Sequence, residues 1–242
     1  MFSYEARRVV VTGAGRGLGR ACAIALIDAG AEVLAVARTP EDLDGLRRER
    51  PAIATWTCDV TSQEFLDRLE SEDDLYGLLN NVAANRPQPF LEVDVATLDH
   101  LLSLNVRAAF LAAQSAARGM ARRGRGGAIL NMSSQMGHVG SPGRTVYCMT
   151  KHAIEGLTKA MGVELAPRNI RVNSLCPTFV DTPFTAPMLA DPAFRRFVLD
   201  RIPLGRLGTP EEVAAAAVFL LSPAASLITG ASLLADGGWT AQ

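Results

Sequence analysis

The stretch Thr12-Gly13-Ala14-Gly15-Arg16-Gly17-Leu18-Gly19 limits the folds open to this chain more than any other segment. An apolar run, Arg8–Thr12, precedes it, and a helical pattern over Leu18–Ala29 follows and stops at Gly30. A buried strand that turns this abruptly into a helix is the first half of a βαβ unit, and glycines let the backbone make the turn. The rest of the chain repeats the alternation. Strands are expected at Glu32–Ala37, Ala52–Cys58, Leu75–Asn80, Gly127–Met132, Ile170–Cys176 and Ala231–Ala235. Helices are expected from near Pro40, from near Thr61, and over Val95–Arg123, Thr145–Ala166 and Pro210–Leu221. Strands alternating with helices of this length indicate parallel pairing, and right-handed crossovers place helices on both faces. The expected fold class is α/β: one doubly wound, Rossmann-like domain over residues 1–242, with a mostly parallel sheet of about seven strands. Residues 177–203, with their prolines and scattered large apolar side chains, are the least regular stretch and are expected to form a substrate lid.

Composition narrows the partners. With 24 basic and 25 acidic residues the formal net charge is −1, which offers no field for nucleic acid or an anionic membrane. The arginine-rich segment Arg122–Gly127 lies between a helix and a strand and reads as a solvated turn. Cys22, Cys58, Cys148 and Cys176 are scattered, without the paired spacing of zinc or iron–sulfur ligands, so no metal is expected. They read as reduced, buried thiols. No signal peptide is expected from the opening residues, and the apolar stretches fall short of the ~20 residues a membrane span needs. A soluble cytoplasmic protein without nucleic-acid or membrane partners is the expectation.

The glycine turn also suits a ligand. Its backbone can approach a pyrophosphate closely, and the helix N-terminus meets the phosphate charge. No Gly-Lys-Ser/Thr follows, so the loop is not one that hydrolyses nucleotides. The second strand ends in Ala37-Arg38, where an NAD site usually carries an acid for the ribose 2′-hydroxyl. Arg38, with Arg16 from the loop, instead suits a 2′-phosphate through charge-assisted bonds. NADP is the expected cofactor. Two solvated arginines, and NAD, are the alternative.

A second motif carries chemistry. The chain has only two lysines against 22 arginines, and one of them, Lys151, lies four residues after Tyr147. Residues four apart share a helix face, and a cation near a phenol lowers its pKa from the usual value of about 10. The pair suits proton transfer. An ammonium is compact with movable donors, whereas a guanidinium is a planar fork that stays charged.

These motifs, taken with others in order, resemble the compact short-chain dehydrogenases/reductases over nearly the whole chain. Thr12–Gly19 matches the cofactor loop, followed by Asp59-Val60, Asn80-Asn81, Asn105, Ser134, Tyr147-x-x-x-Lys151, Arg171-Val172-Asn173, Pro177 with Thr182, and Asp236-Gly237-Gly238. Val36-Ala37-Arg38-Thr39, Ser133-Ser134-Gln135, Val146-Tyr147-Cys148 and Pro177-Thr178 are most similar to the carbonyl and L-xylulose reductase group. Two positions depart from the family pattern: Asn80-Asn81-Val82-Ala83 replaces Asn-Asn-Ala-Gly, and Thr178 replaces a glycine.

The resemblance implies an enzyme with catalytic residues Asn105, Ser134, Tyr147 and Lys151. Tyr147 would exchange the proton, Lys151 would lower its pKa and bind the nicotinamide ribose, and Ser134 would stabilise the substrate oxygen. Asn105 would hold a water leading from Lys151 to solvent. Cofactor contacts would come from Gly13, Gly15, Arg16, Gly17, Leu18, Gly19, Arg38, Asp59, Val60, Asn81, Ala83, Tyr147, Lys151, Pro177, Val180 and Thr182. Gln135, His138, Arg144 and Phe179 are expected at the substrate, and an inward Arg144 or Arg86 would favour an anionic one. The implied reaction is NADP-dependent hydride transfer to or from a carbonyl or secondary alcohol, in a sugar, sugar acid or small ketone. Reduction of a 3-oxoacyl thioester and a non-catalytic NADP-binding regulator are the alternatives. Family members are commonly oligomeric, and a homotetramer or homodimer is expected through the two long helices and the last strand.

Overall fold

The computed structural model describes Tyr4 and residues 7–242. Seven strands form one parallel sheet in the order β3-β2-β1-β4-β5-β6-β7. They are β1 (Arg8–Thr12), β2 (Glu32–Ala37), β3 (Ala54–Thr57), β4 (Leu75–Asn80), β5 (Gly127–Met132), β6 (Ile170–Pro177) and β7 (Ser232–Ala235). The chain winds outward from β1 through β2 to β3, then crosses to β4 and winds the other way. Loops leaving β1 and β4 therefore diverge, and a crevice opens at their carboxyl ends.

Helices cover both faces, so the central strands are apolar on both sides rather than alternating. Val9 and Val11 pack with α1 (Gly17–Asp28), α2 (Pro40–Glu49) and α9 (Pro210–Leu221), through Leu26, Leu43 and Ala217 among others. Val10 points the other way, into a core with Phe65 of α3 (Gln63–Ser71) and Ala112, Ala116 and Met120 of α5 (Ala109–Arg123). On that face α6 (Thr145–Leu165) adds Met161 and Leu165.

Three expectations from the sequence change. The strand expected from Ala52 starts at Ala54, because Pro51 and Ala52 form a turn. The single helix expected over Val95–Arg123 is interrupted: α4 (Val95–Leu102) and α5 flank a π-helical turn, Ser103–Ala108. Widening the helix by a residue misaligns its internal hydrogen bonds, and Asn80 Nδ2 donates to the Ala109 carbonyl at 2.8 Å. Within residues 177–203, the chain forms two short helices, α7 (Ala186–Leu189) and α8 (Pro192–Leu199). Their Leu189 and Val198 join Phe179 and Ile202 against Met136, Tyr147 and Cys148, so this segment packs on the start of α6.

Candidate active site

A cavity of about 910 Å3 occupies the crevice at the carboxyl ends of the strands. The glycine loop, the turns after β2, β3, β4 and β5, the first turns of α6 and the chain after β6 all border it.

The glycine loop is held by its neighbours across the switch point. Thr12 Oγ1 donates to the Leu79 carbonyl at 3.2 Å and accepts from the Asn81 backbone N–H at 2.9 Å. Asn81 Nδ2 returns a bond to the Thr12 carbonyl at 3.0 Å. Asn81 thus lines the cavity while its amide stitches β1 to β4. Gly19 is required by close approach: a Cβ there would sit 2.2 Å from the Gly13 carbonyl oxygen. Gly17 is different. It has φ +56°, and a Cβ there would make only an ordinary contact with Thr182, 3.8 Å away. The N-terminus of α1 has no side-chain cap and no acid in its first turn. Unpaired N–H groups and a positive helix end facing an open cradle fit a pyrophosphate.

The far rim carries the groups expected at a nucleotide. Arg16 and Arg38 are exposed and both border the cavity, as do Asp59, Val60 and Ala83. Arg38 is 75% exposed and lies 3.7 Å from Asp59 Oδ2, a loose pair that leaves its other donors free. Asp59 Oδ1 accepts from the Thr61 N–H at 2.8 Å and from its hydroxyl at 2.7 Å. Those bonds, with Arg38 nearby, hold the carboxyl below its ordinary range. The cradle and the two rim guanidiniums fit a dinucleotide with an added phosphate, which Arg16, Arg38 and the α1 N-terminus would hold.

Tyr147 and Lys151 reach the same cavity from α6. Lys151 is 3% exposed, and its Nζ donates to the Met132 carbonyl at 2.8 Å. Burial pulls its pKa down to about 8, against a smaller opposing pull from Cys176 and Glu155. Tyr147 moves opposite to the expectation for a phenol beside a lysine. Burial pushes it up to about 12, while the Ser134 hydroxyl and the Arg144 guanidinium pull the other way. Burial dominates, and the Lys151 ammonium, 5.5 Å from the centroid of the Tyr147 ring, spends its bond on Met132. Ser134 caps a single 3₁₀ turn, Gln135–Gly137, accepting from Met136 N–H at 3.1 Å, and donates to Gln135 Oε1 at 3.0 Å.

His138 stands elsewhere than the sequence reading put it, whereas Asn105 lies within the expected helical stretch. Asn105 is buried in the π turn and does not border the cavity. Its Oδ1 accepts from the Ala84 N–H at 2.8 Å, and its Nδ2 donates to the Ala84 carbonyl at 2.8 Å. A third bond joins Nδ2 to Thr150 Oγ1 at 3.2 Å. The side chain fixes the loop after β4 with both amide N–H groups engaged, so a water here would donate to a carbonyl oxygen rather than accept from the side chain. His138 turns away from the cavity because Glu155 and Cys176 draw it in: Nε2 lies 3.5 Å from Cys176 Sγ and 3.5 Å from Glu155 Oε2. Glu155 also accepts from Ser174 Oγ at 2.9 Å, from Ser232 and from Cys176 Sγ at 3.4 Å. His138, Glu155 and Cys176 bring three potential ligand atoms within 4.8 Å of one another, but hydrogen bonds already occupy the carboxylate.

Gln135, Arg144 and Phe179 do border the cavity, with Pro177, Val180 and Thr182. Arg86 does not, although its neighbour Pro87 does. Sequence reading missed Thr178 as a polar contributor, having noted it only as a departure from glycine. Its hydroxyl is buried without a partner, as are Gln135 Nε2 and Asn85 Oδ1, and all three residues border the cavity.

The family described as enoyl-(acyl carrier protein) reductase matches residues 13–240 of this chain. L-xylulose reductase of Bos taurus is 44% identical, with 97% of each chain covered. Carbonyl reductase [NADPH] 2 of Sus scrofa is 38% identical over 99% of each. A gluconate 5-dehydrogenase from Burkholderia cenocepacia, solved in complex with NADP and tartrate, superposes with a TM-score of 0.94 at 32% identity, covering 100% of this chain and 98% of that one. The chain therefore belongs to the short-chain dehydrogenase/reductase family.

Proposed function

We propose that the protein is an NADP-dependent oxidoreductase that interconverts a carbonyl and a secondary alcohol in a sugar or other small carbonyl compound. The observation that carries this reading is the opening of Ser134, Tyr147 and Lys151 onto the same cavity as the glycine loop and Arg38. L-xylulose reductase, carbonyl reductase and gluconate 5-dehydrogenase, the relatives at 32–44% identity, support the reaction class.

The dinucleotide, when bound, supplies or accepts the hydride. The rest is done by the chain's own side chains. Tyr147, protonated at neutral pH, donates its phenolic proton to the oxygen of a carbonyl being reduced and takes it back in the reverse direction. The Ser134 hydroxyl, freed from Gln135, donates to that oxygen and stabilises its developing charge. Lys151, fixed by Met132, offers its remaining donors to the nicotinamide ribose. Asn105 positions the loop carrying Ala83 and Ala84 against the cofactor. Arg38 and Arg16 bind the 2′-phosphate. Residues 177–203 close over the substrate as a lid, with Phe179 edge-on to Phe194 and tilted against Trp239.

The assembly is a homo-oligomer in this reading, built on α5, α6 and β7. Phe110, Met149 and Val163 are exposed on the two helices, and Leu233 and Leu234 on the strand. A cytoplasmic location is supported by four buried free thiols. Among the described residues no helix is long and apolar enough to cross a membrane.

The test is NADPH oxidation against a panel of sugars, sugar acids, diketones and 3-oxoacyl thioesters. Turnover of a sugar or small ketone that Tyr147→Phe abolishes, with NADPH binding retained, is expected. Binding without turnover on any carbonyl would point to a regulator instead.

A further inference from the structure

Arg144 is the least reconciled charge in the molecule. It immediately precedes α6, three residues before Tyr147, and is only 5% exposed. Among the described residues it makes no ion pair. Its Nη1 meets the Met188 thioether at 2.9 Å, and its guanidinium lies 5.3 Å from the centre of the Phe194 ring. Neither neighbour carries charge. Even the half-buried Arg171 is partnered: its two terminal nitrogens reach the carbonyls of Leu220, Ile228, Leu221 and Ser222. A buried cation without such partners is costly and is retained where something else supplies the negative charge.

That supplier must come through the cavity, because Arg144 borders it. The helix end adds to the attraction, since α6 has no acid in its first turn. The cavity wall also presents buried polar atoms of both hydrogen-bonding kinds without partners. Gln135 Nε2 is a donor, Asn85 Oδ1 an acceptor, and the Thr178 hydroxyl either. Such a set matches several hydroxyl groups rather than an apolar chain. Hydrogen bonds to charged groups are the stronger ones, and a guanidinium fork fits a carboxylate in two-point contact.

We propose that Arg144 anchors a carboxylate, so that the substrate is a polyhydroxylated acid whose reacting carbon faces Tyr147. This rests on the oxidoreductase reading above and names its substrate class. Because Met188 of α7 and Phe194 of α8 flank the guanidinium, the segment that covers the site also sets the depth at which the carboxylate is held.

The experiment compares D-gluconate with D-glucitol, which has the same carbon chain and a neutral terminal alcohol. Both are titrated into the intact protein with and without saturating NADPH, conditions in which neither can be oxidised. The wild type is expected to bind gluconate at least 10-fold more tightly than glucitol. In Arg144→Met that ratio is expected to collapse to near one, and Arg144→Lys to restore part of it. Equal affinity of the wild type for the two polyols, or an unchanged ratio in Arg144→Met as a folded protein, would overturn the proposal. If Arg144→Met does not fold, Arg144→Lys and Arg144→Gln decide: the ratio must fall further for glutamine than for lysine. Failure of the oxidoreductase reading looks different, because gluconate would still bind in an Arg144-dependent way while no substrate of the carbonyl panel turned over.

Discussion

Lys151 stands one helical turn beyond Tyr147, its ammonium 5.5 Å from the centre of the phenol ring and bonded to the Met132 carbonyl at 2.8 Å. The two side chains therefore share a cavity wall without sharing a hydrogen bond. An ammonium can keep the Met132 bond and still turn its other donors outward, because its three protons spread over a tetrahedron. A guanidinium holds its donors in one plane and needs more room than a niche that leaves Lys151 3% exposed. Lys151→Arg should therefore lower kcat by at least about 100-fold although the charge is kept, consistent with loss of roughly 3 kcal/mol of positioning and electrostatic effect. Steady-state kinetics with NADPH check it, and a rate near that of the wild type would refute the double role given to Lys151.

The burial that holds Lys151 near 8 also predicts how pH acts. Its pKa in the folded protein lies below the ordinary 10.5, so between those values the unfolded chain binds the additional proton and stability rises with pH. The cost of the buried cation is fully present below about 8 and relieved as pH approaches 10.5. At most about 3 kcal/mol is involved, from roughly 1.4 kcal/mol per unit. Denaturant midpoints of the wild type should therefore rise relative to those of Lys151→Met between pH 7 and 10, and parallel curves would contradict the assignment. Carbonyl reduction should lose activity above about pH 8 as the ammonium deprotonates. The phenol, pushed up to about 12, keeps its proton over that range and adds no second limb.

Much of this site could be read from local spacing. Gly13 to Gly19 follow a strand and open a helix, and Tyr147 and Lys151 are four apart on one helix, so chain geometry alone brings the groups together. What was illegible depends on partners distant in sequence. Asn105 is engaged by the backbone of Ala84, 21 residues back, and its π turn leaves no mark in the apolar pattern. His138 is claimed by Glu155 on α6 and Cys176 on β6. Arg144 could have been solvated, and it is buried because α7 and α8 fold over it. The Tyr147 shift is not legible in spacing either, because in the chain alone burial outweighs a cation whose bond is aimed elsewhere.

Cofactor choice should follow Arg38. Its side chain is 75% exposed and only loosely paired with Asp59, so replacing it disturbs little of the fold. Arg38→Asp removes charge-assisted bonds to a 2′-phosphate and places a carboxylate where the phosphate would be repelled. Each such bond contributes about 1.5–3 kcal/mol. The ratio of kcat/KM for NADPH over NADH should fall at least about 100-fold, with the thermal midpoint nearly unchanged. Unaltered selectivity would mean that Arg38 is only a solvated rim residue.

Two glycines of the same loop should fail in different ways when given a methyl group. At Gly19 the added carbon would lie 2.2 Å from the Gly13 carbonyl oxygen and 2.7 Å from Asn81 Nδ2, and neither can yield without breaking the stitch between β1 and β4. Gly19→Ala should destabilise the protein by about 3 kcal/mol, the upper end for overpacking, and lower its thermal midpoint by several degrees. At Gly17 there is room, with the nearest atom 3.8 Å away, and the penalty is only the φ of +56°, about 1–2 kcal/mol for a side chain in the left-handed region. The methyl would however stand in the cradle at the α1 N-terminus. Gly17→Ala should therefore stay folded and lose NADPH affinity out of proportion to its stability, as fluorescence titration and thermal melts on the same sample would reveal. If both variants lost stability and affinity in parallel, the cradle would be a folding constraint rather than a binding surface.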